Sequence, residues 1–155
     1  MRKWVMAAPL LALAGCSIGK DVPIAEQGAV ALHKQYNDGK CADIRKDSAP
    51  EFKGMSTDKG WQFVCDQLTT GLGKFQSSKQ TGWQDQIMNG DHRISIVYDS
   101  TFEKGKAREE FLYRIQDGKG ILLGYHINSP VFDDKPANAT EPANGAEPAN
   151  AAAPA

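Results

Sequence analysis

Apolar residues recur at helical spacing in the first half of the chain. After Asp21, which can cap a helix, and Pro23, which suits a first helical turn, they fall at i, i+4, i+7 and i+11. This spacing puts four residues on one helix face: Ala25, Ala29, Leu32 and Tyr36. The turn segment Asn37-Asp38-Gly39 ends the pattern, so the sequence predicts a first helix between these two signals.

Two more helices are predicted before residue 74. A short one covers residues 41–47, and the Ser-Ala-Pro segment at 48–50 ends it. Ser56 or Thr57 then caps a third helix, which a Gly-Leu-Gly segment ends. The buried face of this third helix is predicted to carry residues at helical spacing: Trp61, Val64, Cys65, Leu68 and Leu72.

After Gly73 the apolar residues alternate with polar ones, which is typical of strands. Tight-turn signals at Asn89-Gly90 and Asp117-Gly118 make neighbouring strands antiparallel. The predicted strands cover residues 74–88, 92–102, 107–116 and 120–128. The last three carry residues in phase with one another along each strand: Ile94, Ile96 and Tyr98; Phe111, Tyr113 and Ile115; Ile121, Leu123, Tyr125 and Ile127. The sequence therefore predicts an α+β domain over residues 22–130, three N-terminal helices packed on a four-stranded antiparallel meander.

The N-terminus has the pattern of a secretory signal. Arg2 and Lys3 precede an uncharged, mostly apolar run from Trp4 to Ala14. A membrane-spanning helix needs about 20 apolar residues, and this run is shorter. The sequence therefore predicts a signal peptide over residues 1–15.

The signal ends in Leu13-Ala14-Gly15-Cys16. These four residues resemble the lipobox of bacterial lipoproteins, which is a Leu and two small residues before a Cys. The resemblance implies cleavage between Gly15 and Cys16 and a lipid on the Cys16 thiol, a good nucleophile as thiolate. Several acyl chains hold a protein on a membrane stably. Ser17 implies the outer membrane, facing the periplasm, with residues 16–21 as the lipidated linker. The alternative is a cytosolic protein with an apolar N-terminal helix and a free buried cysteine.

A tail over residues 131–155 is predicted to be disordered. From residue 134 onward it holds no large apolar side chain, and Pro-Ala-Asn recurs with a period of six. Such a segment cannot bury enough surface to offset chain entropy. It is a solvated spacer or, alternatively, a strip that contacts the cell wall or a partner.

Charge and composition exclude one class of partner. Removal of Arg2 and Lys3 with the signal leaves 16 basic residues against 19 acidic ones, a net charge of −3. No basic stripe alternates with aromatic residues, so nucleic acid is not predicted as a partner. The predicted partners are the membrane, through the lipid anchor, and a protein of the cell envelope.

Two cysteines remain after Cys16, namely Cys41 and Cys65. Export places them in an oxidising compartment, and their even number favours a disulfide. Free thiols and a metal site are the alternatives. Without a Cys-x-x-Cys pair or clustered histidines, the sequence predicts no metal site and no cofactor.

Two segments carry a family resemblance. They are STDKGWQFVCDQLTTGLGKFQSSKQTGW, a Trp-bearing helix before a strand, and ISIVYDSTFEKGKAREEFLYRIQDGKGILLGYHI, the closing strands. Together they resemble small bacterial exported domains of unknown function, the type numbered 4019 and its relatives. The resemblance covers about residues 24–128 and implies the cystatin-like half-cone of nuclear transport factor 2. The Asp-Gly-x-Trp pattern of that family reads Asp117-Gly118-Lys119-Gly120 here, which lacks the aromatic.

Several side chains could carry chemistry, and each also has a structural explanation. On the strands they are His92, Tyr98, Asp99, Tyr113, Tyr125 and His126. The three tyrosines share the phase of the aliphatic residues and are predicted in the core, whereas His126 is predicted to face solvent. His33, beside Leu32 on the first helix, is predicted to be exposed or half-buried.

No nucleophile signature, zinc spacing or phosphate loop is present in the sequence. No catalytic residue is therefore assigned, and the protein is predicted not to be an enzyme. The predicted function is a lipid-anchored binding or interaction module of the envelope. The alternative is a small hydrolase or isomerase with a half-cone pocket, which would need an acid and a base brought together.

Overall fold

The computed structural model describes residues 19–133. In chain order the elements are α1 (Val22–Asn37), α2 (Cys41–Asp47), α3 (Pro50–Gly54), α4 (Asp58–Leu72), β1 (Phe75–Met88), β2 (Asp91–Phe102), β3 (Gly105–Gln116), β4 (Lys119–Asn128) and α5 (Pro130–Asp133). The predicted signal peptide over 1–15, the Cys16 lipid site and the tail from residue 134 lie outside the described residues.

The described residues form five helices rather than the predicted three. Pro50 ends α2 as predicted, but it also occupies the first turn of α3. A proline fits there because the first N–H groups of a helix have no partner inside it. Pro130 likewise begins the four-residue α5 after the sheet. Each proline therefore starts a helix where the sequence pattern indicated only a break or an end.

The two predicted helix caps have different outcomes. Thr57 caps α4 as predicted, since its Oγ1 accepts a hydrogen bond from the Gly60 N–H at 3.1 Å. Asp21 precedes α1, but its side chain makes no capping hydrogen bond. Its carboxylate instead lies 3.7 Å from Nδ1 of His92. Asp21 therefore occupies the predicted N-cap position of α1, but its side chain does not make the capping hydrogen bond.

The strands form one antiparallel sheet in the order β1-β2-β3-β4, which confirms the meander. Both predicted turns are formed, with φ of 51° and 80° at Asn89-Gly90 and of 52° and 70° at Asp117-Gly118. Positive φ at both central residues gives a turn whose twist matches that of the strands. The turn chemistry therefore fixes the neighbours of each strand.

The single phase predicted along β4 is wrong. Leu112 pairs with Gly124 and Tyr113 with Leu122, so Leu123 is an extra residue in β4, a β-bulge. Before the bulge the even-numbered residues of β4 face the helices, and after the bulge the odd-numbered residues do. In consequence, the β4 side chains that belong to or pack against the core beneath the helices are Leu122, Tyr125 and Ile127.

The core lies between the helices and one face of the sheet, and α1 contacts all four strands. On α4 the predicted buried face is confirmed except at Val64, which is 39% exposed. Val64 lies at the rim of the stripe formed by the other residues, namely Trp61, Cys65, Leu68 and Leu72. Among residues 19–133, no helix is long and apolar enough to cross a bilayer.

Helices α2 and α4 are held together beside this core. The sulfur atoms of Cys41 and Cys65 lie at disulfide distance, 2.18 Å, with their Cα atoms 6.3 Å apart. The indole N–H of Trp61 donates to the carbonyl oxygen of Cys41 at 2.7 Å. These contacts fix the start of α2 against the middle of α4.

Candidate functional site

Strand β3 places a charged side chain among its buried residues. Alternate residues of β3 face the helices, and Glu109 lies in that row between Ala107 and Phe111 with an exposed fraction of 0%. A buried carboxylate is strongly unfavourable unless other groups donate hydrogen bonds to it. Its surroundings therefore decide whether this position is stable.

Three side chains donate hydrogen bonds to Glu109. His33 Nε2 on α1 donates to Oε2 at 2.9 Å, and the Ser100 hydroxyl on β2 donates to the same oxygen. The Tyr125 hydroxyl on β4 donates to Oε1 at 2.6 Å. Because the four side chains come from α1, β2, β3 and β4, this buried Glu109 cluster joins the helix to three strands.

The cluster keeps Glu109 ionised. Burial alone would raise the pKa of its carboxyl, but the hydrogen bond and charge of His33, with the hydroxyls of Ser100 and Tyr125, hold that pKa below its ordinary value. The pKa of Tyr125 is raised well above its ordinary value by burial and by the neighbouring Glu109 charge. Tyr125 therefore remains a hydrogen-bond donor, and the carboxylate remains its acceptor.

The His33 ring is fixed by aromatic neighbours. It stacks on Phe75 with ring centroids 3.6 Å apart and meets Phe111 edge-on at 5.6 Å. The Asn37 side chain joins α1 to β1, since its amide donates to the Phe75 carbonyl at 2.9 Å and accepts from the Phe75 N–H at 2.8 Å. The His33 ring is thus packed between Phe75 and Phe111 with Nε2 toward Glu109.

An open cleft of about 540 Å³ lies between the second half of α1 and the start of β1. Of the four residues in the Glu109 cluster, His33 is the one that lines it, together with Asn37, Phe75 and Ser77. Chemically, the arrangement couples a buried carboxylate to an imidazole at the wall of a cleft.

A second polar cluster lies at the other end of α1, where the chain enters the fold. His92 Nε2 lies 2.8 Å from Oδ1 of Asp85, and the Gly19 N–H donates to Oδ2 of the same carboxylate at 2.9 Å. With Asp21 on the other side of the His92 ring, these groups fasten the N-terminal segment to the β1–β2 hairpin.

Beside this second cluster is a cleft of about 800 Å³ between the start of α1 and the middle of β1, and Gly19 and Trp83 both line it. The Gly19 backbone packs closely against the Trp83 indole, since a Cβ added to Gly19 would lie 2.8 Å from the ring. The cleft wall therefore includes the point where the linker meets the domain.

The remaining candidate residues do not belong to either polar cluster. Tyr98 and Tyr113 are buried as predicted, and His126 is exposed as predicted. Asp99 lies on the outer face, 3.7 Å from Nη1 of Arg108. Burial raises the pKa of Tyr113, whose hydroxyl has no hydrogen-bond partner among the described residues. The prediction that His33 is exposed or half-buried is wrong, because α1 turns it onto Glu109.

Sequence reasoning missed Glu109, although a signal was present. Glu109 shares the strand phase of Phe111 and Tyr113, so the alternation itself places it inward. His33 lies four residues after Ala29 and three before Tyr36, which places it on the buried stripe of α1. An ionisable residue stands at a core position on a helix, and another stands at a core position on a strand. This pattern would have identified the His33–Glu109 pair.

Among residues 19–133, no group of three His, Cys, Asp or Glu side chains is arranged to hold a metal ion. Comparison with protein families and with curated proteins gives no match for the chain.

Proposed function

We propose that this protein is a lipid-anchored lipoprotein of the cell envelope whose domain is a non-catalytic binding or interaction module. The observation that carries the anchor is the segment Leu13-Ala14-Gly15-Cys16 after an apolar signal. The described fold begins at Gly19, so only two residues, Ser17 and Ile18, separate it from the proposed lipid site. Ser17 favours the outer membrane, with the domain in the periplasm.

We further propose that the domain is a cystatin-like half-cone of the domain-of-unknown-function 4019 type. The four-stranded antiparallel meander with its helices on one face supports this assignment. The bulge at Leu123 supports it as well, because an extra residue bends and twists the strand that carries it. A bent sheet is what a half-cone requires.

The filled interior supports binding at the surface rather than in a closed pocket. Four side chains that would line such a pocket are each less than 9% exposed: Trp61, Leu68, Tyr98 and Phe111. The two clefts lie instead between α1 and the edge strand β1. An edge strand can pair with an extended segment of another protein. We therefore place the binding surface for an envelope protein partner along α1 and β1.

The second candidate is a small hydrolase or isomerase, and the His33–Glu109 pair favours it. General acid–base catalysis needs a titratable group within reach of a ligand, and His33 lines the cleft of about 540 Å³. In this alternative His33 would exchange a proton with the ligand, and Glu109 would hold the His33 imidazole in position. The binding module remains the first proposal because Glu109 is fully occupied by three donors inside the core.

Replacement of the lipid site tests the anchor. Cys16→Ala should block attachment of a palmitate analogue and leave a longer, unprocessed chain, whereas the neighbouring Ser17→Ala should be labelled and processed normally. Both are measured by in-gel detection of the analogue and by intact mass. Labelling of the Cys16→Ala chain would show that the lipobox assignment is wrong.

Site-directed cross-linking in the native envelope tests the binding surface. A photoreactive side chain at Ser78, which is exposed beside α1, should give a discrete adduct with an envelope protein. The same group at Glu110, exposed on the outer face of β3, serves as the control. The same products from both positions would contradict a binding surface along α1 and β1.

A further inference from the structure

The end of the β1–β2 hairpin exposes apolar side chains beside the entry of the N-terminal chain. Trp83 is 49% exposed, Ile87 is 69% exposed and Met88 is 70% exposed. Ile87 and Met88 are the last two residues of β1, and Trp83 lies on the same strand face as Ile87, four residues before it and about 13 Å away along the strand. Single exposed apolar side chains are ordinary, but a group of three on one hairpin indicates a contact surface.

The chain that would carry the lipid is fixed to this same hairpin. The Gly19 N–H is bonded to Asp85, and the Gly19 backbone rests on the Trp83 ring. Cys16 is three Cα-to-Cα steps from Gly19, so the Cα atoms of the two residues lie at most about 11 Å apart. Ile87 is two residues beyond Asp85, or about 7 Å along the strand. The hairpin tip and the lipid attachment point therefore lie in one small region.

Charge at the tip does not oppose contact with lipid. Asp85 is bonded to Gly19 and His92. Asp91 accepts hydrogen bonds from the guanidinium groups of Arg93 and Arg114, which hold the pKa of its carboxyl below its ordinary value. Asp85 and Asp91, the acidic groups on the hairpin itself next to the tip, are thus paired with donors in the domain.

We propose that the hairpin tip, defined by Trp83, Ile87 and Met88, inserts into the interfacial region of the bilayer that holds the Cys16 lipid. This proposal rests on the lipoprotein assignment above. Tryptophan with aliphatic side chains is the combination that enters the headgroup and acyl boundary. The tip gives the domain one orientation on the membrane, with the α1–β1 clefts beside the lipid surface.

The test uses the full lipidated protein in vesicles of phosphatidylethanolamine and phosphatidylglycerol, with and without bromine on the acyl chains. Bromine quenches tryptophan at short range. Trp61 is buried against Phe52. The Trp83→Phe variant removes the Trp83 emission, so the emission of Trp61 can be measured alone. Brominated lipid should quench Trp83 in the native protein and leave Trp61 unchanged.

A matched pair of double variants isolates the tip. Ile87→Gln with Met88→Gln should reduce the quenching of Trp83 by roughly twofold or more, because the apolar anchor is removed. Val30→Gln with Met55→Gln changes the same types of side chain at similar exposure, 69% and 63%, away from the tip. This control should retain the native quenching.

Equal quenching in the tip variant and the native protein would overturn the proposal, as would absence of Trp83 quenching. Intact mass then separates the two assignments. A protein that carries the lipid but shows no tip effect refutes the insertion alone, whereas a protein without lipid on Cys16 refutes the lipoprotein assignment too. A dimer in detergent that the tip variant dissociates would assign the tip to a second copy of the chain and overturn insertion.

Discussion

Replacement of Glu109 by Gln tests whether the buried cluster stabilises the fold through its charge. Gln keeps the size of the side chain and one acceptor oxygen, which can still receive the bonds from His33 and Ser100. The hydrogen bonds from His33 and Ser100 then reach a neutral acceptor, and each weakens by about 1 kcal/mol, whereas the Tyr125 hydroxyl faces the amide NH2 group and loses its acceptor. The uncharged amide is easier to bury, which offsets part of this loss. We expect Glu109→Gln to lower the free energy of unfolding by about 2 kcal/mol.

The neighbouring residue provides the control. Glu110 is exposed on the outer face of the same strand, where it accepts one long hydrogen bond from Ser95 at 3.3 Å. Glu110→Gln should change the free energy of unfolding by less than about 0.5 kcal/mol. Urea denaturation of the three proteins at pH 7, followed by circular dichroism, measures both differences.

The pH dependence gives a second, independent readout. The pKa of Glu109 is lower in the folded protein than its ordinary value of 4.5. Its contribution to stability is therefore complete above about pH 4.5 and is lost as the pH falls through the folded pKa. The difference between native protein and Glu109→Gln should shrink over that acid range. A difference as small as that of Glu110→Gln, or one independent of pH below 4.5, would refute the charged cluster.

Three further predictions concern packing, the cysteines and the tail. Gly28→Ala should lower the free energy of unfolding by about 1–2 kcal/mol despite its better helix propensity, because the added Cβ would lie 2.7 Å from a buried tyrosine ring. Gly60→Ala, whose Cβ meets its nearest neighbour at 3.4 Å, should be neutral or stabilising in the same urea titration. Cys41 and Cys65 should resist alkylation until reductant is added, and reduction should lower the free energy of unfolding by about 3 kcal/mol; labelling of the folded, unreduced protein would contradict this. Deletion of residues 134–155 should leave the melting temperature unchanged, and a drop of several degrees would mean that the tail packs on the domain.

The sequence alone determined the class and order of the fold. Helical and alternating periods separate the two halves of the chain, because each period places apolar residues on one side of its own element. The turns at Asn89-Gly90 and Asp117-Gly118 fix the strand order, since residues that tolerate positive φ allow the tightest hairpins. The lipobox at Cys16 is also a local signal, and it remains a prediction.

Only the tertiary structure decided which polar residues meet. Glu109 and His33 are 76 positions apart in the sequence, and no local pattern links a strand residue to a helix residue at that separation. The bulge at Leu123 depends on how β4 fits its neighbouring strand and helices, so alternation along β4 alone could not reveal it. The same holds for Gly19 and Trp83, which packing brings together and which place the start of the described chain against strand β1. Periodicity determines which face of an element is buried, whereas the packing of distant elements determines what each buried group contacts.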